Sequence, residues 1–181
     1  MRRSNAGLFW PVLVLVTAID FCTKAIAANR LQFEGLPRTV FGDWMRFTLV
    51  HNPGAAFGLH VGVYSRGIFM VLTVVALFIL GRLYSATRPG DSIRTFSLAL
   101  VCGGALGNLI DRIVQPLGVI DFIDIGMGDS RWPTFNVADM AVSIGAFLLA
   151  WVLWGEDSES EIVPVPTPAP ATVSVEPREL S

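Results

Sequence analysis

Four apolar runs, each near the twenty residues that carry an α-helix across a bilayer, fix what this 181-residue chain can become. They fall at about 8–28, 67–84, 95–114 and 137–154. Apolar residues make up 52% of the chain and charged residues only 15%. A soluble domain carries about 25% charged residues, so a water-soluble fold is excluded. The expected class is an all-α integral membrane protein with four transmembrane helices. A net charge of -2 leaves no basic footprint for nucleic acid.

Arginines set the expected orientation. Arg2 and Arg3 precede the first run, and Arg82, Arg88 and Arg94 crowd the short link between the second and third. Arg30, Arg38, Arg46 and Arg66 are spread thinly over a longer connection. The excess of cations in short loops places both termini and the middle link in the cytoplasm. Trp10, Tyr84, Trp151 and Trp154 then mark the inner interface, and Trp132 the outer. The basic start and Ala25-Ile26-Ala27 imitate a signal-peptide cleavage site. Asp20 and Lys24, four apart with the acid first, form a helical pair better explained by a retained span.

Crossing number alone gathers the polar residues. Asp20 and Lys24 lie late in span one, and Asn108, Asp111 and Arg112 late in span three. Asn52 precedes span two, and Asp139 opens span four. In an antiparallel four-span chain all of these meet at one membrane face, the outer one by the arginine rule. Ionisable groups at membrane depth are costly and mark functional sites. The densest stretch is 103–139, with Asp111, Asp121, Asp124, Asp129 and Asp139.

Asn136 and Asp139 have helix-start spacing, which favours an ionised carboxylate at Asp139. Capping alone would also account for that residue. Asp121 sits among Val119, Ile120, Phe122 and Ile123, where desolvation favours the protonated acid. Two carboxyls with opposed proton affinities are what a general base and a general acid require. One activates water and the other protonates a peptide carbonyl. Composition does not separate Asp121 from its neighbour Asp124.

Five motifs in order give the chain a resemblance to the bacterial lipoprotein signal peptidases, or signal peptidase II. They are Asp20-Phe21-Cys22-Thr23-Lys24 with Ala27; the 52–58 segment from Asn52 to Gly58; the 103–112 segment from Gly103 to Arg112; Val119-Ile120-Asp121-Phe122; and Phe135-Asn136-Val137-Ala138-Asp139. Pro53 departs from the residue often found there, and the chain beyond Trp154 lies outside the resemblance. The resemblance implies four transmembrane helices with a small extracytoplasmic β-cradle. It implies an aspartic endopeptidase that removes the signal peptide from prolipoproteins on the amino side of a diacylglyceryl-modified cysteine. Asp121 and Asp139 become the expected catalytic pair. Asn52, Gly54, Asn108, Arg112 and Asn136 are expected to bind and orient substrate, with Asp20 and Lys24 as a structural pair. The implied location is the bacterial inner membrane, with the site on the extracytoplasmic face. We expect membrane lipid and diacylglyceryl-modified prolipoproteins as partners, a monomer, and no cofactor or metal.

Residues 1–154 are thus expected to form the peptidase domain, and the acidic, proline-rich 155–181 a disordered cytoplasmic tail. Arg38–Phe41 and 46–50, around Gly42-Asp43, read as a hairpin. His51 and His60 have no acid at useful spacing, and Cys22 and Cys102 read as small buried hydrophobes. A proton- or ion-coupled transporter predicts polar residues at mid-membrane and on both faces. In a non-enzymatic scaffold the aspartates only cap helices.

Overall fold

The computed structural model describes residues 5–31, 33–54 and 62–160, with backbone only for 63 and 156–160. Arg2, Arg3, the Ala55–Gly58 part of the second motif, His60 and residues 161–181 lie outside the described residues. The apolar runs form α1 (Ala6–Arg30), α2 (Ser65–Ala86), α3 (Ser92–Val114) and α4 (Val137–Ser160). All four are long and apolar enough to cross a membrane. The fourth helix runs past Trp154, where the apolar run ends, to Ser160.

The third helix packs along each of the other three. Its buried face includes Leu98, Ala99, Cys102, Gly103, Gly104 and Gly107. A Cβ on Gly104 would strike the carbonyl of Ala138, and one on Gly107 the carboxyl of Asp20. These glycines let α4 and α1 lie against α3, the small-residue packing of membrane helices. Along α2 the side chains stay largely exposed, as a lipid-facing helix requires.

At one end, Asn5 ties α1 to the α2–α3 turn. Its side-chain amide donates to the carbonyls of Thr87 (3.4 Å) and Arg88 (3.0 Å), and its oxygen accepts from Gly90 N–H (2.9 Å). Phe9 stacks on Tyr84 there, with ring centroids 3.9 Å apart. The sheet lies at the other end. The sequence Ala25-Ile26-Ala27 runs inside α1, with Ala27 buried in the sheet's core.

Four antiparallel strands follow the order β1 (Arg38–Phe41), β2 (Met45–Asn52), β3 (Val119–Met127), β4 (Ser130–Arg131). The β1–β2 hairpin turns at Gly42, whose φ is 50°. Sequence reading found this hairpin but left β3 and β4 unassigned. In β3 the burial alternates by position: Ile120 and Phe122 join Leu49 against Ala27 and Leu31, so Asp121 points to the other face. Strand register sets Asp121 opposite Val50 and Val119 opposite Asn52.

Two expectations need correction. Cys22 is exposed on the outer side of α1, so only Cys102 is a buried hydrophobe. His51 does have an acid partner. Glu34, seventeen residues upstream, accepts from both its backbone N–H and its ring at 3.0 Å. Those hydrogen bonds hold the Glu34 carboxyl below its ordinary range. The turn after Leu31 brings the two together, which no spacing rule anticipates.

Candidate active site

The first turn of α4 is built from side chains that satisfy its free N–H groups. Asn136 Oδ1 accepts from Asp139 N–H (3.0 Å), and Asp139 Oδ2 accepts from Asn136 N–H (3.2 Å). This is a reciprocal capping box with Asn and Asp as its members. Across the bundle, Asp20 Oδ1 accepts from Ala138 N–H at 2.9 Å. The positive end of the helix faces the Asp139 carboxyl and favours its ionised form.

Asp121 approaches the same turn from β3. Its Oδ1 accepts from Asn136 Nδ2 at 2.7 Å and its Oδ2 from Asn52 Nδ2 at 3.2 Å. Asn108 Nδ2 donates to Asp139 Oδ1 at 2.8 Å. Each of the four carboxyl oxygens therefore has one protein donor, and each keeps a lone pair for another partner. Fully buried Asn136 contacts both acids, one through its side chain and the other through its cap. Burial in apolar surroundings, then the charge of Asp139, push Asp121 up to about 7. The two carboxyls thus have separated proton affinities, the arrangement that lets one hold a proton while the other takes one.

A buried cation supports the pair. Lys24, 2% exposed, places its three donors on Asp20 (2.7 Å), Asp111 (2.9 Å) and Asn108 (2.8 Å). Asp111 also accepts from Ile120 N–H at 3.1 Å, fixing the backbone beside Asp121. Sequence reading grouped Asp111 with the polar face but gave it no role. Its signal was there: 108, 111 and 112 share one helix face. Arg112 donates to the carbonyls of Asn108 (3.1 Å) and Gly54 (3.0 Å) and lies over the Phe69 ring. Gly54 N–H in turn donates to Asn52 Oδ1 at 3.0 Å, so the chain leaving β2 is held beside the acids.

Asp124 is otherwise engaged. Its Oδ1 is paired with Arg131 Nε (2.6 Å) and its Oδ2 accepts from Thr48 (3.0 Å). Three residues from Asp121 in a strand, it lies on the opposite face. All nine residues expected at the site, from Asp20 to Asp139, are gathered at this end of the bundle, and Asp124 is not among the groups around Asn136.

A cavity of about 730 Å³ opens over the pair. Its walls are His51, Asn52 and Pro53 from β2, Asn108 and Arg112 from α3, the 132–135 segment, and Met140, Ser143 and Ile144 from α4. The α4 wall was not expected from the sequence, because nothing in its apolar pattern separates a cavity-facing stripe from a lipid-facing one.

A multi-pass bundle whose buried polar residues converge on two linked aspartates, beneath a small sheet, defines a membrane enzyme. A bacterial membrane enzyme solved in meso at 2.3 Å resolution has the same fold, with TM-score 0.78 and 29% identity over 91% of this chain and 98% of that one. The chain belongs to the signal peptidase II family: the profile described as "Signal peptidase (SPase) II" matches residues 12–155. The lipoprotein signal peptidase of Moorella thermoacetica is 41% identical over 146 residues, covering 80% of this chain and 91% of that protein. That of Pelotomaculum thermopropionicum is 38% identical over 149 residues, covering 82% and 93%.

Proposed function

We propose that the chain is an aspartic endopeptidase that removes the signal peptide of prolipoproteins on the amino side of a diacylglyceryl-modified cysteine. The observation that carries this function is the coupling of Asp121 and Asp139 through Asn136, with Asp121 pushed up to about 7. Membership of the signal peptidase II family supports the substrate class.

In this mechanism Asp139 is the base. It takes a proton from water as the oxygen attacks the scissile carbonyl carbon, and Asp121 gives its proton to the carbonyl oxygen. The tetrahedral diol then collapses. Asp139 returns its proton to the leaving nitrogen, Asp121 recovers one from the diol, and the products are a new carboxyl terminus and the free amine of the cysteine. Asn52, Asn108 and Asn136 hold the acids in place, and Arg112 and Gly54 shape the mouth of the cavity. Asp20 and Lys24 fix the start of α4 from behind. Both termini lie in the cytoplasm and the site faces outward, since Arg82, Arg88 and Arg94 sit towards the end opposite the acids.

The deciding experiment uses the full chain in detergent with a diacylglyceryl-modified prolipoprotein. Asp121→Asn and Asp139→Asn should each lower turnover at least about 10²-fold, the usual worth of a general acid or base. Full activity in either variant removes that residue from the chemistry.

A further inference from the structure

Ser143 is set apart from the other helix-borne hydroxyls. In helix interiors, a serine or threonine normally donates to the carbonyl four residues back. Thr17, Thr23, Thr73, Ser85, Thr95 and Ser97 all do so, at 2.6 to 2.9 Å. Ser143 does not, and it has no hydrogen-bond partner among the described residues. It lines the cavity one helical turn after Asp139, between the apolar side chains of Met140 and Ile144.

That turn places the hydroxyl about 6 Å deeper into the membrane-spanning part than the carboxyl, from a rise of about 1.5 Å per residue. A donor at this depth in an apolar wall needs an acceptor that nothing else satisfies. A helical signal segment satisfies its own backbone carbonyls, as any chain in hydrocarbon must. The glyceryl ester carbonyls of a lipidated cysteine have no donor of their own. They lie a few bonds from the scissile amide, just above the acyl chains. We infer that Ser143 is a specificity-determining residue that donates to an ester carbonyl of the substrate's diacylglyceryl group, with Met140 and Ile144 against the start of an acyl chain. This rests on the peptidase function proposed above.

The test compares two prolipoprotein substrates in detergent with the full chain, one diacylglyceryl and one with ether-linked dialkylglyceryl chains, which lack the ester carbonyls. On the diester substrate, Ser143→Ala should raise KM about three- to tenfold with kcat little changed, the worth of one neutral hydrogen bond. On the diether substrate, Ser143→Ala should match the unaltered protein, and Ser143→Thr, which keeps the hydroxyl, should restore the diester KM. Equal loss on both substrates, or no loss on either, overturns the role of Ser143 while leaving the peptidase function standing. Failure of the unaltered protein to cleave the diester substrate overturns that function, and the inference with it.

Discussion

Asn136 Nδ2 lies 2.7 Å from Asp121 Oδ1, while the oxygen of the same amide caps the backbone of Asp139. A single fully buried side chain thus sets the spacing of the acids from two different elements, β3 and α4. Asn136→Ala removes the cap and leaves Asp121 without its shortest donor. Loss of such a cap costs about 1 kcal/mol, and an unsatisfied buried group adds about 1–3 kcal/mol. Cleavage should fall far more than stability does, which parallel turnover and thermal-unfolding measurements would separate.

Proton affinity at Asp121 gives a pH signature. Its value of about 7 lies above the 3.8 of an unperturbed aspartate, so the folded state favours the protonated form. The associated stability is complete below pH 3.8 and is lost as pH rises through about 7. Its size is on the order of 4 kcal/mol, from about 1.4 kcal/mol per unit of pKa. Asp121→Asn should flatten the pH dependence of unfolding between those limits. Turnover by the unaltered protein should decline above about pH 7 as the general acid is lost. In Asp139→Asn the carbonyl stretch of protonated Asp121 should disappear at lower pH, because one of the charges raising its affinity is gone; an unmoved infrared midpoint would remove that coupling.

Lys24 holds Asp20 and Asp111 together where water cannot. Breaking a buried ion pair from one side costs about 3–5 kcal/mol, since the remaining charge is stranded. Lys24→Met should destabilise the fold by that order, and adding Asp111→Asn should recover part of it. Chemical unfolding in detergent reads both variants. Near-equal stability of Lys24→Met and the unaltered chain would mean that these carboxyls are neutral without the lysine.

The two neighbouring aspartates of β3 should behave differently. Asp124 is committed to Arg131 and Thr48. Asp124→Asn should therefore keep cleavage within a few-fold while loosening the sheet by about 1–3 kcal/mol, the usual worth of a charge-assisted hydrogen bond. A loss as deep as that of Asp121→Asn would place Asp124 in the chemistry.

How much of this could be read from residues alone varied with the physics involved. Four helices follow from apolar run length, and the shared end of Asp20, Asn108 and Asp139 follows from counting crossings. The capping role of Asn136 came from its spacing to Asp139. Strand β3 escaped notice because Val119–Met127 is too short and too continuously apolar at its start to reveal a period of two. Choosing Asp121 over Asp124 needed the family pattern, since only the fold shows Arg131 across from one and Asn136 beside the other. The Glu34–His51 contact and the free hydroxyl of Ser143 depend on a turn and a cavity wall, neither of which has a local signature.

The place of α3 bears on how the molecule comes to exist. As a ribosome feeds the chain into the bilayer, the first two spans arrive before the surface that will hold them. Only when Gly103, Gly104 and Gly107 emerge do α1 and α4 gain a groove to settle in. The acids can meet only at the last step of that assembly, so a chain stalled before its fourth crossing carries Asp121 with no partner and remains inert.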